Sequence, residues 1–315
     1  MSNVRIQKRG SDLMSLSVKK KINVLLRKAN TFLTLKGCFD FLPDPLFLKM
    51  RYKVMLGRHL DLNNPVSFNE KLQWLKIHDR NPAYPSMVDK FEVKKYIADM
   101  LGEDFVIPTL GIWNSFDDID FTTLPDKFVI KCTHDSGSVI ICRNKDAFDK
   151  AKARKKIKRC MRRKLYRSTR EWPYKSIMPR IIVEQYIESD SEKGLRDYKF
   201  YVFNGKVKYL YISEGLENHS TARISFLTPD WKQAPFARSD YRQFEVLPDK
   251  PKHLNDMILI AEKIAGDTPF RRIDLYEVRD QVLFSEITFF PCGGMMPFDP
   301  IEWDIKLGKE MKISI

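Results

Sequence analysis

The first 85 residues carry apolar positions at helical spacing among many basic ones. In residues 19–36, four apolar side chains fall near one side of a helix with lysines and arginines around them: Ile22, Leu25, Leu26 and Phe32. This pattern predicts an amphipathic helix, which either lies on a membrane interface or packs on the body of the protein. A second helical stretch follows the Pro-Asp-Pro break at residues 43–45. Ser67 and Glu70 have the spacing of a capping box, which predicts the start of a third helix.

Beyond residue 85 the pattern changes to short β-rich runs that alternate with helices. Apolar alternation and turn residues predict two hairpins, one turning at Asn204-Gly205 and the other near Arg279-Asp280. A helix is predicted at residues 252–265, between the hairpins. Another is predicted at 146–166, a strongly basic segment whose apolar side recurs at intervals of four: Ile157, Met161 and Leu165.

The order of these elements predicts an α+β fold. We divide the chain into a basic helical region at residues 1–85, a smaller α/β lobe at 86–180 that contains the basic helix, and a second lobe at 181–315 with a mixed or antiparallel sheet. No internal repeat is visible. The division follows the change of pattern at residue 85 and the start of a long apolar strand after residue 180.

The composition is that of an ordinary globular protein, with 315 residues of which 43% are hydrophobic. No apolar run approaches the roughly 20 residues that span a bilayer, and the opening residues lack the pattern of a secretory signal. Five cysteines without Cys-x-x-Cys spacing favour reduced thiols over a zinc site. We therefore expect a cytoplasmic protein, with contact to the inner face of the membrane if the basic N-terminus binds there.

The net charge of +14 is concentrated in two segments. Residues 1–30 hold eight Lys or Arg against one acid, residues 143–170 hold fourteen against two, and the rest of the chain has a net charge of −5. A polyanionic partner of these two patches is implied. A nucleic-acid-binding protein is one alternative, but the aromatic residues do not interleave with the basic cluster as a stacking platform would.

Asp274 and Glu286 carry the strongest chemical signal. They lie on the two strands of one predicted hairpin, with the turn about halfway between, so the carboxylates can face each other. Both strands are otherwise apolar, and a pair of acids there needs a cation. Magnesium is usually held by one or two carboxylates together with substrate phosphates. The alternative is a solvated acid pair on an open sheet face.

Lys131 ends an apolar strand and precedes a polar turn that contains Gly137. Such a strand, turn and strand can place backbone N–H groups and an ammonium over a phosphate chain, although an ordinary hairpin has the same pattern. His134 in this turn is more simply a polar loop residue than a proton carrier. Glu184 ends another apolar strand, where a carboxylate beside strand backbone can pair with an adenine amino group.

In this order the segments resemble the ATP-grasp superfamily, over roughly residues 87–300. The resemblance rests on VDKFEVKKYIADMLG, FVIKCTHDSGSV, IIVEQYI, DYKFYVFNGKV and RIDLYEVRDQVLFSEIT. Three further segments are similar to the TupA-like ATP-grasp proteins of bacterial surface-polysaccharide clusters: SFNEKLQWLKIHDRNP, EWPY and SEITFFPCGG. The fold implied is two α/β lobes that clamp ATP, with a helical basic N-terminal extension.

The resemblance also implies roles for individual residues. ATP would contact Lys90, Lys131, Ser136, Gly137, Ser138, Glu184, Gln185, Tyr186, Ile187 and Asp197, with adenine at 184–187 and ribose at Asp197. Mg²⁺ would be bound by Asp274, Glu286 and Thr288, the last standing where the superfamily usually has Asn. Lys199 and Arg272 would act on the phosphates, Arg272 on the phosphoryl group in transfer.

The implied activity is ADP-forming ligation of a carboxylate to an amine through an acylphosphate. In surface-polysaccharide assembly the partners would be a uronic-acid-containing glycan or lipid-linked sugar and an amino acid, and no specific nucleic acid is expected. A glycosyltransferase of the same pathway is an alternative, which would need paired acids for a metal but not two phosphate lysines.

Overall fold

Two antiparallel sheets organise the chain, which is described here by a computed structural model for residues 21–188, 195–215 and 222–314. The helices are α1 (21–35), α2 (Asp44–Leu56), α3 (Phe68–His78), α4 (Tyr84–Val88), α5 (Glu92–Leu101), α6 (Lys150–Met161), α7 (Leu165–Thr169), α8 (Leu254–Ala265) and α9 (Trp303–Glu310). The strands are β1 (Thr109–Trp113), β2 (Phe128–Cys132), β3 (Ile140–Cys142), β4 (Ile181–Gln185), β5 (Asp197–Phe203), β6 (Lys206–Glu214), β7 (Arg223–Leu227), β8 (Ala237–Arg238), β9 (Phe270–Val278), β10 (Gln281–Thr288) and β11 (Phe298–Asp299).

The smaller sheet has the strand order β1-β4-β2-β3, and every neighbouring pair is antiparallel. One face of it packs on α6 through a core that includes Phe128, Ile130 and Ile157. Strand β4 belongs to this sheet, whereas the predicted boundary after residue 180 assigns it to the second lobe. Its hydrogen bonds to β1 and β2 place it in the first lobe, and the chain passes to the other sheet only after β4.

The larger sheet has the order β10-β9-β5-β6-β7 and is also antiparallel. Both predicted hairpins lie in it. Asn204 and Gly205 form one turn, Arg279 and Asp280 the other, and all four have positive φ, as the tight hairpin turn requires. The turn positions and the alternation of apolar residues therefore predicted the pairing of these strands correctly.

Helix α3 packs in the main core against the larger sheet, although the predicted division assigns it to a separate N-terminal region. Phe68 is fully buried, and its ring meets that of Phe270 edge-on at 4.8 Å between centroids. The predicted capping box is present, because Ser67 accepts from the Glu70 N–H and Glu70 accepts from the Ser67 N–H. The apolar face of α3 thus makes it part of the globular body.

The basic segment predicted as one helix at 146–166 forms α6 and the separate short helix α7. Asp149 caps α6, and the helix ends at Met161. Its buried residues are Ala153, Ile157 and Cys160, with Met161 only partly buried. Leu165 lies beyond the end of α6, so it does not continue the apolar side that the spacing predicted. No helix among the described residues combines the length and apolar character that a bilayer crossing requires.

Candidate active site

A cleft lies between the two sheets. It consists of a cavity of about 250 Å³ and an adjoining one of about 650 Å³. Both cavities are lined by Lys131 on β2, Glu184 on β4, Asp197 on β5 and Tyr276 on β9. Since these residues come from both sheets, predicted site residues of distant segments face one space. Lys199 and Glu286 also line the smaller cavity, whereas Asp274, Thr288 and Arg272 are not among the lining residues of either cavity.

Glu184 is the centre of a charged cluster on the smaller sheet. Its two oxygens lie 2.6 Å from the ammonium groups of Lys94 and Lys131, one oxygen each. Burial opposes ionisation of this carboxylate, but the two cations outweigh burial and lower its pKa to about 2. Burial lowers the pKa of Lys94. For Lys131 burial acts in the same direction, but the combined attraction of Glu184, Tyr276 and Glu286 outweighs it and raises the pKa. The cluster therefore holds two ammonium groups against one carboxylate at the cleft.

The turn after Lys131 lies over the smaller cavity. Ser136 and Gly137 line it, and Gly137 has φ of +86°, so a side chain there would be strained. Lys90 also lines the cavity and donates to the carbonyl oxygen of Asp135. Ser138 is not among the described lining residues. Its hydroxyl is buried and accepts from the Cys132 N–H at 2.8 Å, so Ser138 supports the turn from behind.

His134 lies in the same turn but is buried away from the cleft. One ring nitrogen is 3.1 Å from the carbonyl oxygen of Arg163, and burial lowers the pKa of the imidazole. This environment is that of a polar residue that anchors the turn to the segment after α6.

The larger cavity is lined by the last residue of β4 and by the residues that follow it. Gln185, Tyr186 and Ile187 line it, as predicted for the segment that would hold adenine. Asp197 and Ser213, which are opposite each other on β5 and β6, line it as well. The Asp197 Oδ1 and the Ser213 hydroxyl are buried without a hydrogen-bond partner among the described residues. Such atoms normally have partners, so they are available to the hydroxyl groups of a ligand.

The acid pair lies on the larger sheet as predicted. Asp274 and Glu286 are cross-strand partners, and Lys199 is opposite Asp274 on the other side. Arg272 binds both acids, with two hydrogen bonds of 2.7 Å to Asp274 and one of 2.6 Å to Glu286. Lys199 pairs with Asp274 and with Asp197. The predicted catalytic residues thus bridge the predicted metal ligands.

The two acids differ in exposure and in charge. The side chain of Asp274 is 0% exposed and that of Glu286 is 40% exposed. Burial raises the pKa of Asp274 to about 6, although Arg272 and Lys199 oppose the shift. Burial also opposes ionisation of Glu286, but the same two cations outweigh it and lower that pKa to about 2. Glu286, which lines the cleft, therefore carries the more firmly held negative charge.

These residues fit a magnesium ion in part. Mg²⁺ prefers oxygen ligands, and Glu286, Asp274 and the Thr288 hydroxyl supply only oxygen. Thr288 donates to Glu286 at 3.0 Å, so it lies beside the exposed acid. Within the described ranges, no group of three or more acidic, His or Cys side chains could hold a metal by itself. A cation here would take its remaining ligands from phosphate and water, as Mg²⁺ usually does.

Several lining residues were missed by the sequence analysis, and two of them, Lys94 and Tyr276, had a signal in the sequence. Lys94 is one helical turn after Lys90, and Tyr276 is two residues after Asp274 on the same strand. Helical spacing would have placed Lys94 beside Lys90. The alternation of side chains along a strand would have placed Tyr276 on the same face as Asp274. Both signals are weak without knowledge of where the cleft lies.

A buried polar stripe on α3 was also missed. Asn69, Gln73 and Lys76 are spaced along one side of the helix and are almost fully buried. They bind the backbone of the loop that follows β10: Asn69 pairs with both backbone groups of Met296, and Gln73 donates to the carbonyl oxygen of Gly294 at 2.6 Å.

Lys76 completes this stripe. Its ammonium donates to the carbonyl oxygens of Gly293 and Thr169 at 2.6 and 2.8 Å and to Gln73 at 3.0 Å. Burial lowers its pKa to about 8, although nearby Glu171 opposes the shift. In this loop Cys292, Gly293 and Gly294 all have positive φ. Helix α3 therefore holds a strained loop at the end of the β9-β10 hairpin.

Lysines on one side of the cleft face Glu286 and its arginine partner on the other, which is the arrangement that the resemblance to ATP-grasp proteins implies. The family model described as "TupA-like ATPgrasp" matches residues 70–312. The chain belongs to this family. It has an α+β ATP-grasp fold, as expected.

The chain is also similar, at low identity, to several solved structures. D-alanine-D-alanine ligase from Helicobacter pylori is 13% identical, with 79% of this chain and 70% of that chain covered and a TM-score of 0.40. D-cycloserine synthetase DcsG is 15% identical, with 73% and 72% covered and a TM-score of 0.38. ATP-grasp ligase PsnB, complexed with a precursor variant, Mg and ADP, is 10% identical, with 70% and 57% covered and a TM-score of 0.37. No curated protein sequence matches the chain.

Proposed function

We propose that the protein uses ATP and Mg²⁺ to activate a carboxylate as an acylphosphate and joins it to an amine. The observation that carries this proposal is the position of Glu286, which lines the cleft together with Lys90, Lys94 and Lys131 and accepts a hydrogen bond of 2.6 Å from Arg272 behind it. Phosphoryl transfer requires positioned cations more than a protein nucleophile. The described residues of the cleft provide those cations.

Each part of the cleft has one role in this scheme. Adenine lies against residues 184–187 and the ribose hydroxyls bind Asp197. Lys90, Lys131 and the Ser136-Gly137 turn hold the phosphates. Glu286 and Asp274 hold Mg²⁺, with Thr288 beside them, and the ion neutralises phosphate charge when bound. Arg272 and Lys199 stabilise the charge of the phosphoryl group in transfer.

The bond changes are those of an ADP-forming ligase. An oxygen of the substrate carboxylate attacks the γ-phosphorus, and the bond to the β-phosphate oxygen breaks with release of ADP. The amine then attacks the carbonyl carbon of the acylphosphate, phosphate leaves, and the amine loses a proton. The products are an amide, ADP and inorganic phosphate.

We propose a uronic acid of a surface glycan as the carboxylate and an amino acid as the amine. This choice rests on the resemblance to proteins of surface-polysaccharide clusters and on the exposed basic side of α6. Lys152, Lys155 and Arg159 are exposed there, and a uronic-acid polymer or a lipid-linked sugar pyrophosphate is polyanionic. The pathway assigned is assembly of a capsule or O-antigen on the cytoplasmic side.

The test is ADP release from ATP and Mg²⁺ with a panel of uronic acids and amino acids, followed by mass spectrometry of the product. We expect ADP only when both substrates are present, and a product whose mass equals their sum less one water. The Glu286→Gln variant serves as the control for contaminating ATPases, because it removes the exposed acid of the pair.

Other outcomes would contradict the proposal. Sugar transfer from a nucleotide sugar without ADP formation would indicate a glycosyltransferase. Tight, salt-sensitive binding of nucleic acid with no ATP turnover would indicate a nucleic-acid-binding protein. Amide formation with other carboxylates, and none with uronic acids, would retain the ligase reaction and overturn the substrate assignment.

A further inference from the structure

Helix α1 has its polar side toward the protein and its apolar side toward the surroundings. Asn30 and Thr34 are buried, Thr34 with 1% of its surface exposed. In contrast, Leu25 is 69% exposed and Phe32 is 60% exposed. This orientation is the reverse of a surface helix that contributes to a core. The packed alternative considered from sequence therefore does not describe its apolar side.

Polar contacts with α2 attach this helix to the body. Arg51 on α2 donates to the side-chain oxygens of Asn30 and Thr31. Arg27 donates to the carbonyl oxygen of Val54 at 3.4 Å. These contacts fix which side of α1 faces the protein. The leucines therefore point outward because specific polar contacts hold the opposite side of the helix against α2.

Val24 and Leu35 are exposed on another side of the helix, whereas the other exposed apolar residues form one stripe along it. Their spacing repeats every three or four positions, which places them within about a third of the helix circumference. The stripe consists of Ile22, Leu25, Leu26, Ala29, Phe32 and Leu33. Phe41, in the turn after the helix, is 79% exposed. A soluble monomer rarely leaves so many large apolar side chains together in water.

The charge around the stripe has one sign. Lys21 and Lys28 are exposed on α1 and Lys36 directly after it, and the Lys36 ammonium lies 5.7 Å from the centre of the Phe32 ring. The chain contains no Asp or Glu between residues 13 and 39. An apolar stripe bordered only by cations matches the boundary between anionic headgroups and acyl chains.

We propose that α1 docks on a bilayer that contains anionic phospholipid, with its axis in the plane of the interface. The stripe enters the boundary of headgroups and acyl chains, and the lysines remain at the level of the phosphates. The charge favours this occupant over a second copy of the chain, because two copies would bring cationic faces together. This inference does not depend on the reaction of the cleft.

The test is co-sedimentation of the full-length protein with vesicles of phosphatidylcholine and phosphatidylglycerol, and with vesicles of phosphatidylcholine alone. We expect binding to the mixed vesicles that weakens with added salt, and weaker binding to the neutral ones. Leu25→Ser/Phe32→Ser should reduce binding by at least about tenfold. The matched control is Val246→Ser/Leu259→Ser, which removes similarly exposed side chains, 83% and 65%, elsewhere on the surface and should bind like the wild type.

Three results would overturn the proposal. Equal binding of wild type and the α1 variant would show that the stripe does not touch lipid. A wild-type dimer in solution that the α1 variant abolishes, with no vesicle binding by either protein, would show an interface between copies. Vesicle binding that appears only after deletion of residues 1–20 would show that the N-terminal segment covers the stripe in the full-length protein.

Discussion

At the residue scale, Glu184 links the stability of the protein to its nucleotide site. It is almost fully buried, and its charge is balanced by Lys94 and Lys131. Lys131 is therefore not an isolated ligand for phosphate, as the sequence alone suggested, because its loss leaves a buried carboxylate with one partner instead of two.

We predict that Lys131→Met weakens ATP binding by about 10- to 100-fold, as expected for loss of one charged contact. The same change should lower the free energy of unfolding by on the order of 2 kcal/mol, because a buried ion pair is broken. Isothermal titration and urea denaturation measure the two effects. The double variant Lys131→Met/Glu184→Gln should recover part of the stability but not the affinity. Recovery of both would mean that Lys131 does not touch ATP.

The depressed pKa of Glu184 predicts a dependence of stability on pH. Its pKa falls from 4.5 to about 2 on folding, so the ionised form stabilises the protein above pH 4.5. That contribution, on the order of 3 kcal/mol, decreases as the pH falls from 4.5 towards 2. The difference in unfolding free energy between wild type and Glu184→Gln should be largest at pH 7 and shrink below pH 4.5. A difference that grows on acidification would contradict the assignment.

The unequal exposure of the two acids predicts unequal effects of their removal. Glu286→Gln should lower the rate of ADP formation by at least about 100-fold with little change in melting temperature, because its side chain is 40% exposed. Asp274→Asn should lower both the rate of ADP formation and the melting temperature, because Asp274 is fully buried and pairs with two cations. ADP formation and thermal unfolding of the two variants measure this. Undiminished turnover of Glu286→Gln at low magnesium would exclude it as a metal ligand.

At the element scale, α3 acts as a support for the loop that follows the β9-β10 hairpin. Three polar side chains from successive turns of this helix bind backbone groups of residues 293–296. Buried polar groups are costly without partners, so this stripe gains its stability from one specific loop conformation. The loop lies directly after Thr288 on β10, which connects its position to the acid pair.

We predict that Lys76→Met destabilises the protein by about 3 kcal/mol, because Glu171 loses the nearby ammonium and two carbonyl groups lose their donor. Hydrogen exchange of residues 291–296 should become faster, and the maximal rate of ADP formation should fall more than ATP affinity.

The matched control is Lys71→Met on the same helix. Lys71 donates to the carbonyl oxygens of Gly308 and Met311 at 2.7 and 2.6 Å, so it anchors the C-terminal helix and not the loop. The Lys71→Met variant should destabilise the protein without making hydrogen exchange at residues 291–296 faster. Identical exchange patterns in the two variants would show that Lys76 has no specific effect on the loop.

At the scale of the whole molecule, the positive charge is only partly available to a partner. On α6, Arg154 and Lys158 both pair with Asp117, and Lys156 donates to the carbonyl oxygen of Val139. Lys155 and Arg159 are exposed on a different side of the helix. The charge that a polyanion would meet is therefore smaller than the sequence count suggests.

We predict that Lys155→Glu/Arg159→Glu lowers the ligation rate on a polymeric uronic acid by about tenfold at low salt, with unchanged affinity for ATP. The control Lys250→Glu/Lys309→Glu makes the same change in net charge on other exposed surface and should retain the rate. The effect should disappear at high salt. Equal rates of both variants on polymer at low salt would show that this side of α6 is only solvated.

The sequence by itself determined the local features of the fold. The two hairpin turns, the capping box of α3 and the pairing of Asp274 with Glu286 were all predicted correctly. These features depend on residues close together in the chain, where turn chemistry and the alternation of a strand leave one arrangement. The resemblance to ATP-grasp proteins was visible for the same reason, since its segments are short and keep their order.

Only the tertiary structure decided which distant groups meet. Three features join segments that are far apart in sequence. They are the contact of Lys94 with Glu184, the place of β4 in the smaller sheet, and the hydrogen bonds from α3 to residues 293–296. Local spacing identified an apolar side on α1 but not its direction, because that direction depends on the polar contacts with Arg51 on another helix. Periodicity defines the faces of an element, whereas packing against the rest of the chain decides which face is buried.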